Sequence, residues 1–546
     1  MDRIPRTDDP TINSLIARIE RHHGTKVVQS SLNHYAITPY IWHIAVNHIE
    51  YASSLVEVRS GSIIDDTLIN PRSRDRVLYC ELRVGNDAAQ GRGFAFDKAP
   101  LKDKTRRQAA SLEMQVDHAL STAFCSAREN YNERIFRHSE DAATIVPNLI
   151  EVPLVGDGLE KLRKVQIPVD RLRKLAETCS AILSSDGDPD QVGIYVHDET
   201  RRFVNSEGSV IRDNFFGYHL AFNVTAMVDG KNSPWEFGQG LFFTDKVDEE
   251  QVLRFVRRMH SEIKKRKKEC KRLTEGEYPV LNSSAAMTTD LHEFWVHHLA
   301  SDEILYGKST TLGWENFGKP LAPPGLNAYV DPGMPDKWGS MRFDHEGVPA
   351  QRRQLVKDGR VVGYLADRDG AYHLSRLTGS KILPGDARIG YPGVCQGPKS
   401  LPRISNLTFE YTESAGKNKA RTKTEMLRRF VQYLQETGRE EGVYIADMSE
   451  GESFTERGGV AIQPDFAYIV DRSGKMYPTN FVSTTGEVHA SLRNIVTMGG
   501  PVEYVPHMCG IDDEMVRGGI SCPMGIISNV KIQVGRPKQL RQPRLK

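Results

Sequence analysis

The sequence predicts an α+β fold in two domains, and three observations lead to this class. Residues 193–230 alternate between apolar and polar side chains as an antiparallel meander does. Long helical patterns precede and follow that meander, and beyond residue 279 strand-like runs are separated by Gly- and Pro-rich loops. We therefore expect an N-terminal α+β domain over 1–275, with an antiparallel sheet and long helices. A mostly β C-terminal domain over 276–546 is expected to carry a metal-binding helix.

The N-terminal half begins with a clear helical pattern over residues 11–22, which His23-Gly24 ends. Four apolar side chains recur there at the spacing that puts them on one helical face: Ile12, Leu15, Ile16 and Ile19. The elements expected next are, in order, strands over 43–61 and 76–85, a polar helix from about 104 to 138, a helix within 161–185, the meander and a basic helix over 248–273. We interpret the basic helix as a solvated face, with a nucleic-acid face as the alternative.

The C-terminal half opens with a short strand over 279–282, followed by a helix that contains His292. Residues 351–367, QRRQLVKDGRVVGYLAD, predict a hairpin with Asp358-Gly359 as its turn. One further helix is expected at about 423–437, and the remainder to residue 534 predicts strands and turns.

The composition excludes several classes of protein. Lys and Arg number 72 and Asp and Glu 71, so bulk charge does not favour nucleic-acid binding. No run of about 18 apolar residues occurs, and the first ten residues contain no apolar signal core, so neither a membrane span nor export is expected. The seven Cys are scattered and odd in number, which fits a reducing compartment. We expect a cytoplasmic protein with no nucleic-acid or membrane partner.

The functional interpretation depends on residues 292–297, HEFWVH. His292 and His297 are imidazoles that could hold zinc, and Glu293 between them could act as general base on a zinc-bound water. The spacing is one residue longer than in the usual His-Glu-x-x-His helix. At about 100° per residue, side chains five apart lie about 140° apart on an α-helix, so we predict a π-bulge that brings the two rings together. His298 is also close in sequence, and the motif leaves at least one further ligand unassigned.

Several other stretches of the second half accompany this motif in a definite order. They are EGEYPV before the LHEFWVHH helix, DPGMPDKWGSMRFDHEGVPAQRRQLVKDGRVVGYLADRDGA, PRISN at 402–406, and FVSTTGEVHASLRNIVTMGG. Together they resemble the TldD/PmbA family, and its catalytic TldD branch in particular, over about residues 275 to 535. The metal motif of that family is itself His-Glu-x-x-x-His. The first half is similar to the family only in its pattern of sheet, long helices and meander.

The resemblance implies a third ligand, a cysteine followed by glycine near the C-terminus, and Cys509-Gly510 stands at the corresponding place. It thereby names His292, His297 and Cys509 as zinc ligands and Glu293 as the base. Two imidazoles and one thiolate leave the fourth position for water, as a catalytic zinc site requires. A buried free thiol is the alternative role for Cys509, and Cys522 is a rival ligand.

The activity that the resemblance implies is zinc-dependent hydrolysis of unfolded or flexible peptides. We expect the peptide to bind as an extended strand at a sheet edge. The family also implies a dimer, either of identical chains or with a related non-catalytic subunit. Inside the motif, small residues of the family are replaced by Phe294, Trp295 and Val296, which could narrow the cleft or press on a partner. The alternatives are a non-catalytic peptide-binding regulatory module of the family and a zinc hydrolase of small amides.

Overall fold

A computed structural model gives the fold of the chain. The structure describes residues 4–25, 40–70, 73–85, 90–100, 106–137, 149–155, 158–163, 165–228, 234–309, 312–390, 400–412, 420–454, 459–480, 483–487, 492–511 and 514–534. Within them it shows an N-terminal antiparallel sheet with long helices and a second, sheet-rich C-terminal half, so the predicted α+β class is confirmed.

The N-terminal sheet contains eight of the described strands. They are β1 (Tyr40–Arg59), β2 (Ser62–Asp66), β3 (Ser73–Gly85), β4 (Gln90–Pro100), β5 (Gly158–Leu159), β6 (Asp190–Asn205), β7 (Val210–Met227) and β8 (Pro234–Thr244). The order is β4-β3-β1-β6-β7-β5, with β2 paired to β1 and β8 to β7. All pairs are antiparallel except the short β5–β7 pair. The predicted meander is β6–β7.

Helices are described in both halves of the chain. They are α1 (Pro10–His22), α2 (Arg106–Arg137), α3 (Val169–Leu183), α4 (Glu249–Lys268), α5 (Ser284–Leu291), α6 (Ser301–Leu305), α7 (Arg368–Thr378) and α8 (Lys423–Glu436), with a 3₁₀ turn at Trp314–Asn316. The predicted helix over 11–22 is confirmed as α1, which buries the four isoleucine and leucine side chains that the pattern placed on one face. No described helix has the length and apolar character to cross a membrane.

Strand β1 shows how side-chain alternation arranges the layers of the N-terminal half. Ile44 and Val46 pack with α1 and α2, and Val56 and Val58 pack with α3 and α4. These residues have even numbers and therefore share one face of the strand. Odd-numbered residues such as Ala45 and Tyr51 form the opposite face, where they join apolar side chains of the C-terminal half. Strand β1 is therefore covered on both faces of the sheet.

The C-terminal half contains the remaining described strands. They are β9 (Gly276–Asn282), β10 (Leu326–Val330), β11 (Arg353–Lys357), β12 (Arg360–Val361), β13 (Ala387–Ile389), β14 (Ser400–Pro402), β15 (Asn406–Tyr411), β16 (Glu441–Phe454), β17 (Gly459–Asp471), β18 (Met476–Thr479), β19 (Ser483–Glu487), β20 (Ile495–Ile511) and β21 (Glu514–Gln533). The main order is β12-β11-β10-β15-β21-β19-β17-β16-β9, and β21 also pairs with β9. The path β21-β19-β17-β16-β9 therefore returns to β21, so these five strands form a closed ring.

The predicted hairpin is confirmed as β11–β12. Asp358 (φ 49°) and Gly359 (φ 72°) have the left-handed conformation that a two-residue hairpin turn demands. A Cβ at residue 359 would lie 2.2 Å from the Ala322 carbonyl oxygen, so the turn requires glycine there for space as well as for φ. The predicted helix at about 423–437 is confirmed as α8, which begins with a capping box between Thr422 and Glu425.

The sequence pattern predicts no helix between the motif helix and residue 423, but the structure has helix α7 there. Its start signal is Asp367, whose carboxylate accepts a hydrogen bond from the Gly370 N–H, and its end is Gly379 at φ 66°. Both signals are readable in the sequence, but the segment has only three turns and follows a hairpin directly.

The domain boundary between residues 275 and 276 stays a prediction. Residue 276 is the first residue of β9.

Polar contacts join the two halves beside the apolar ones. Arg368 at the start of α7 pairs with both carboxylate oxygens of Glu207, in the β6–β7 turn, at 2.6 and 2.8 Å. Asn47 of β1 donates a hydrogen bond to the His345 carbonyl at 2.9 Å. Charge-assisted pairs with this bidentate geometry fix orientation as well as adding energy, so the two halves meet in one defined arrangement.

Candidate metal centre

The motif helix changes its winding where the histidines occur. Helix α5 begins at its cap Ser283, whose hydroxyl accepts a hydrogen bond from the Ala286 N–H at 3.1 Å. At His292 the helix becomes a π-turn that spans His292–Val296, followed by a 3₁₀ turn over His297–Leu299. The predicted π-bulge is confirmed. The wider turn absorbs the additional residue between the two histidines, which a regular α-helix would aim apart.

The bulky residues of the π-turn lie in the C-terminal core. Phe294, Trp295 and Val296 are buried and pack with Leu291, Leu299 and other apolar side chains. Trp295 is completely inaccessible to solvent. These residues thus hold the turn in the protein interior rather than narrowing a cleft or facing a partner.

The turn brings both motif histidines to a cysteine from the far end of the sequence. His292, His297 and Cys509 are all buried, and one ligand atom of each lies within 4.8 Å of the others. The rings of His292 and His297 are perpendicular, with centroids 4.6 Å apart. Among the described residues, these three form the group with ligand types and spacing suited to a metal ion. The structure therefore places together the three residues that the resemblance named as ligands.

The protonation states of the histidines suit metal binding. Burial lowers the pKa of His297 to about 3, and burial together with the neighbouring His297 lowers the pKa of His292 well below its usual value. Both rings are therefore neutral near pH 7 and keep a lone pair for a cation. Nδ1 of His292 is buried and has no hydrogen-bond partner among the described residues. A bound metal would satisfy a buried ring nitrogen of this kind, so the residues present fit the cation that the family implies.

Cys509 lies on β20, where burial and a nearby positive charge act in opposite directions on the pKa of its thiol. Burial raises the pKa of the Cys509 thiol to about 11, whereas the positive charge of Arg403 acts to lower it. The Arg403 side chain is buried and donates a hydrogen bond from Nη2 to the Cys509 carbonyl at 3.3 Å. A cation held at the site would add to that effect, because a metal ion favours the ionised thiol.

Glu293 lies beside the histidine pair. Its Oε2 is 3.6 Å from Nε2 of His297. Burial, with the negative charges of Glu452 and Asp290, raises the pKa of Glu293 to about 8. The adjacent strand β16 approaches the side chain closely at Gly451, where a Cβ would lie 2.7 Å from Cγ of Glu293. Glycine at 451 is therefore required for this approach.

The two rival ligands of the sequence analysis lie in other surroundings. Nε2 of His298 is 3.1 Å from the Ser453 hydroxyl, and the His298 carbonyl accepts a hydrogen bond from Ser309. Cys522 on β21 is fully buried, and its Sγ–H donates to the Pro523 carbonyl at 3.2 Å. Neither belongs to the group of ligand atoms around His292.

Sequence reasoning missed three residues that border the site: Arg403, Gly451 and His507. His507 has its ring centroid 4.6 Å from that of His292. Residues two apart on a strand share a face, so His507 could have been placed beside Cys509 once β20 was recognised as a strand. Arg403 and Gly451 reach the site through long-range packing, for which the sequence offers no local signal.

Comparison with known proteins agrees with this fold. Residues 275–534 match the family model of the PmbA/TldA metallopeptidase C-terminal domain. The C-terminal half of the chain is therefore a domain of the metallopeptidase type. The domain over residues 275–534 therefore belongs to the TldD/PmbA family, as its motifs predicted.

Relatives and solved structures extend the likeness beyond that domain. A metalloprotease of Methanothermobacter thermautotrophicus is 24% identical over 487 residues, 86% of this chain and 98% of that protein. One of Archaeoglobus fulgidus is 25% identical over 241 residues, which are 44% of this chain and only 49% of that protein. The crystal structure of TldE from Thermococcus kodakarensis matches with a TM-score of 0.63 at 14% identity, over 96% of this chain and 100% of that one. At that identity the match shows the fold alone.

Proposed function

We propose that this chain is a zinc-dependent peptidase that hydrolyses unfolded or flexible peptides. The observation that carries the proposal is the buried group of His292, His297 and Cys509 with the Glu293 carboxylate beside it. Metalloprotease is also the name of the relatives in two archaea, which supports a peptidase activity.

The donor set favours zinc among the common metals. Two imidazoles and one thiolate are typical zinc ligands, whereas Mg²⁺ and Ca²⁺ prefer oxygen. When bound, zinc supplies a Lewis acid that makes water more acidic and polarises the scissile carbonyl. His292, His297 and Cys509 would hold the ion, and the buried Phe294 and Trp295 would keep the turn that carries both histidines rigid.

Glu293 is the proposed proton carrier. A carboxylate oxygen of Glu293 would accept a proton from the attacking water and deliver it to the leaving amine nitrogen. The pKa of about 8 in the protein without a cation would fall next to a positive charge, which leaves the carboxylate ionised and able to act as base. Because Gly451 has no side chain, the Glu293 carboxylate would have room to turn from the water to the leaving amine.

Strand β16 offers a place for an extended peptide beside Glu293. One edge pairs with β17, whereas β9 pairs with the other edge only over Val443–Ile445. From Asp447 onward, no described strand pairs with that second edge. The strand also carries bulges at Asp447 and Met448, and bulges are common next to active sites. A peptide added there would bind through its backbone, which suits cleavage that tolerates many sequences.

Assembly and location belong to the same proposal. The resemblance to the TldD/PmbA family supports a dimer, either of identical chains or with a related non-catalytic subunit. We propose that it acts in the cytoplasm, without a nucleic-acid or membrane partner.

The test combines elemental analysis with hydrolysis of fluorescently labelled casein. Wild-type protein should contain about one zinc ion per chain. Glu293→Gln should keep the zinc and lose about 10²- to 10⁴-fold in kcat. Cys509→Ala should lose both, and Cys522→Ala should keep its zinc. Zinc content indifferent to Cys509, or hydrolysis that survives Glu293→Gln, would refute the proposal. Casein binding without cleavage in zinc-loaded wild type would favour the non-catalytic regulatory module.

A further inference from the structure

A cleft lies between the two halves of the molecule, and the proposed metal ligands do not line it. It is a cleft of about 660 Å³ lined on one side by β6 and β7 and on the other by residues 332–350, with Arg388 and Arg517 also in its wall. Clefts of this size hold small ligands or several residues of a peptide. None of His292, Glu293, His297 or Cys509 is among its lining residues.

Arg517 of β21 faces away from the metal group. In the β20–β21 pair, Cys509 lies opposite Val516 and Met508 opposite Arg517, and neighbours along a strand point to opposite faces. The Arg517 guanidinium stacks 3.5 Å from the centroid of the Phe215 ring, and its Nη1 is 3.2 Å from Oε2 of Glu199. Its buried Nε–H has no hydrogen-bond partner among the described residues.

Arg388 of β13 is 4% exposed and has fewer partners still. Its Nη1 donates to the Ile404 carbonyl at 3.1 Å, while its buried Nε–H finds no acceptor in the described part of the chain. Burial lowers the pKa of Arg388 to about 9, and the positive charge of Arg517 contributes in the same direction. A buried cation with like charges around it is costly unless an anion accompanies it.

The other arginine deep in the cleft has no spare donors of this kind. Arg201 donates to the carbonyls of Asp344 and Phe343 at 2.7 and 3.0 Å and pairs with Asp213. Glu199, which pairs with Arg517, is also the carboxylate whose negative charge counteracts the lowering of the Arg388 pKa, so one anion acts on both cations. Across the cleft, Oδ1 of Asp213 is buried and accepts no hydrogen bond in the described structure, although Nη1 of Arg342 lies 3.8 Å away.

We propose that this cleft binds the terminal α-carboxylate of a peptide or amino acid, with Arg388 and Arg517 as the anion-binding residues. A guanidinium presents Nε–H and Nη–H as a fork that matches a carboxylate. Asp213 then accepts a hydrogen bond from an N–H of the same ligand. The carboxylates of Glu199 and Asp213 in the wall disfavour a dianion such as phosphate and favour a monoanion that carries N–H groups. Only the expected source of the ligand, a peptide, rests on the proposed function.

The test measures binding to the chelator-treated full-length protein, so it does not depend on zinc or on catalysis. The probes are acetyl-tetra-alanine with a free carboxylate and the same peptide as its C-terminal amide, compared by titration calorimetry. The free acid should bind, and the affinity of the amide should be lower by about tenfold or more. Equal binding of the two, or no binding of the acid, would overturn the proposal. This comparison on the wild type stays decisive even if a variant fails to fold.

Variants locate the site. Arg388→Gln and Arg517→Gln should each weaken binding of the free acid about tenfold or more, whereas Arg254→Gln, an exposed arginine of α4, should not change it. Circular dichroism checks that each variant is folded. Folded Arg388→Gln and Arg517→Gln proteins with wild-type affinity would contradict the assignment. Free alanine bound as tightly as the peptide would identify an amino acid as the source, and inorganic phosphate bound as tightly would refute the carboxylate preference.

Discussion

His297 and His298 are neighbours in the chain with different surroundings. The 3₁₀ turn directs His297 towards Cys509 and His298 towards the hydroxyl of Ser453. Both side chains are buried, so exposure does not distinguish them, and only the direction of each ring does. The pair therefore offers a matched test of the proposed ligand set.

Replacing each of these histidines should affect the metal differently. His297→Ala should reduce the zinc content from about one ion per chain to nearly none, because a two-ligand site binds weakly. His298→Gln keeps an amide that can reach Ser453 and should retain its zinc. Elemental analysis after dialysis against buffer measures both. Loss of zinc only in the His298 variant would mean that the ligands are wrongly assigned.

Glu293 should make the metal-free protein less stable as the pH rises. The pKa of Glu293 is about 8 in the folded chain against an ordinary value of 4.5, so the folded state holds a proton that the unfolded state releases. The stabilisation is complete below pH 4.5 and is lost as the pH rises through 8. It amounts to about 1.4 kcal/mol per unit of pKa difference at most.

Urea unfolding of metal-free wild type and Glu293→Gln at pH 5 and pH 8 measures this effect. The wild type should lose more stability between the two pH values than the variant does. Asp290 and Asp302, whose burial raises their pKa values to about 7, change in the same direction in both proteins and cancel in the comparison. Equal losses in the two proteins would show that Glu293 titrates normally.

At the level of elements, the π-turn could be predicted from the sequence because its cause is local. The five-residue spacing of two presumed ligands requires an extra residue in the turn, whatever the surrounding fold. The strand β16 beside it could not be placed in this way. Its position over Glu293 depends on pairing with β17 and on the bulges at Asp447 and Met448, which are properties of the sheet. The sequence pattern therefore predicted the π-turn but not the strand that lies over Glu293.

Gly451→Ala tests the contact between β16 and the π-turn. The added methyl would lie 2.7 Å from Cγ and 2.9 Å from Oε1 of Glu293, so the carboxylate must move. We expect kcat to fall about tenfold or more with zinc retained, since misplacement by about 1 Å costs that much or more. Gly276→Ala in β9, where the new methyl would meet only Tyr278 at 3.5 Å, is the control and should leave kcat unchanged. Equal kcat in the two variants would mean that Glu293 tolerates the approach.

For the whole molecule, the junction of the two halves depends on a few buried polar contacts as well as on apolar packing. Arg368 follows the predicted hairpin directly in the sequence, and the structure shows it buried and paired with Glu207. The fold class could be predicted because alternation and helical periodicity are local. The junction could not, since Arg368 and Glu207 are far apart in sequence and each is ordinary by itself.

Arg368→Met should destabilise the protein through this junction. The change removes two charge-assisted hydrogen bonds to the partly exposed Glu207 carboxylate and should cost about 2 kcal/mol of unfolding free energy. The exposed pair of Arg352 and Glu410 provides the control, because Arg352→Met should cost less than about 1 kcal/mol. Urea midpoints of the two variants and the wild type check this. Similar midpoints for both variants would show that the junction does not depend on the pair of Arg368 and Glu207.

The ring of strands in the C-terminal half has a consequence for the synthesis of the protein on the ribosome. Its first strand, β9, precedes the motif histidines, whereas β20 with Cys509 and the closing strand β21 are the last described strands to be synthesised. A nascent chain that has not passed Cys509 has two of the three proposed ligands and an open ring. The proposed peptidase activity would therefore require that translation has passed β20. A truncated chain that ends before Cys509 would not cleave other polypeptides of the cell by the proposed mechanism.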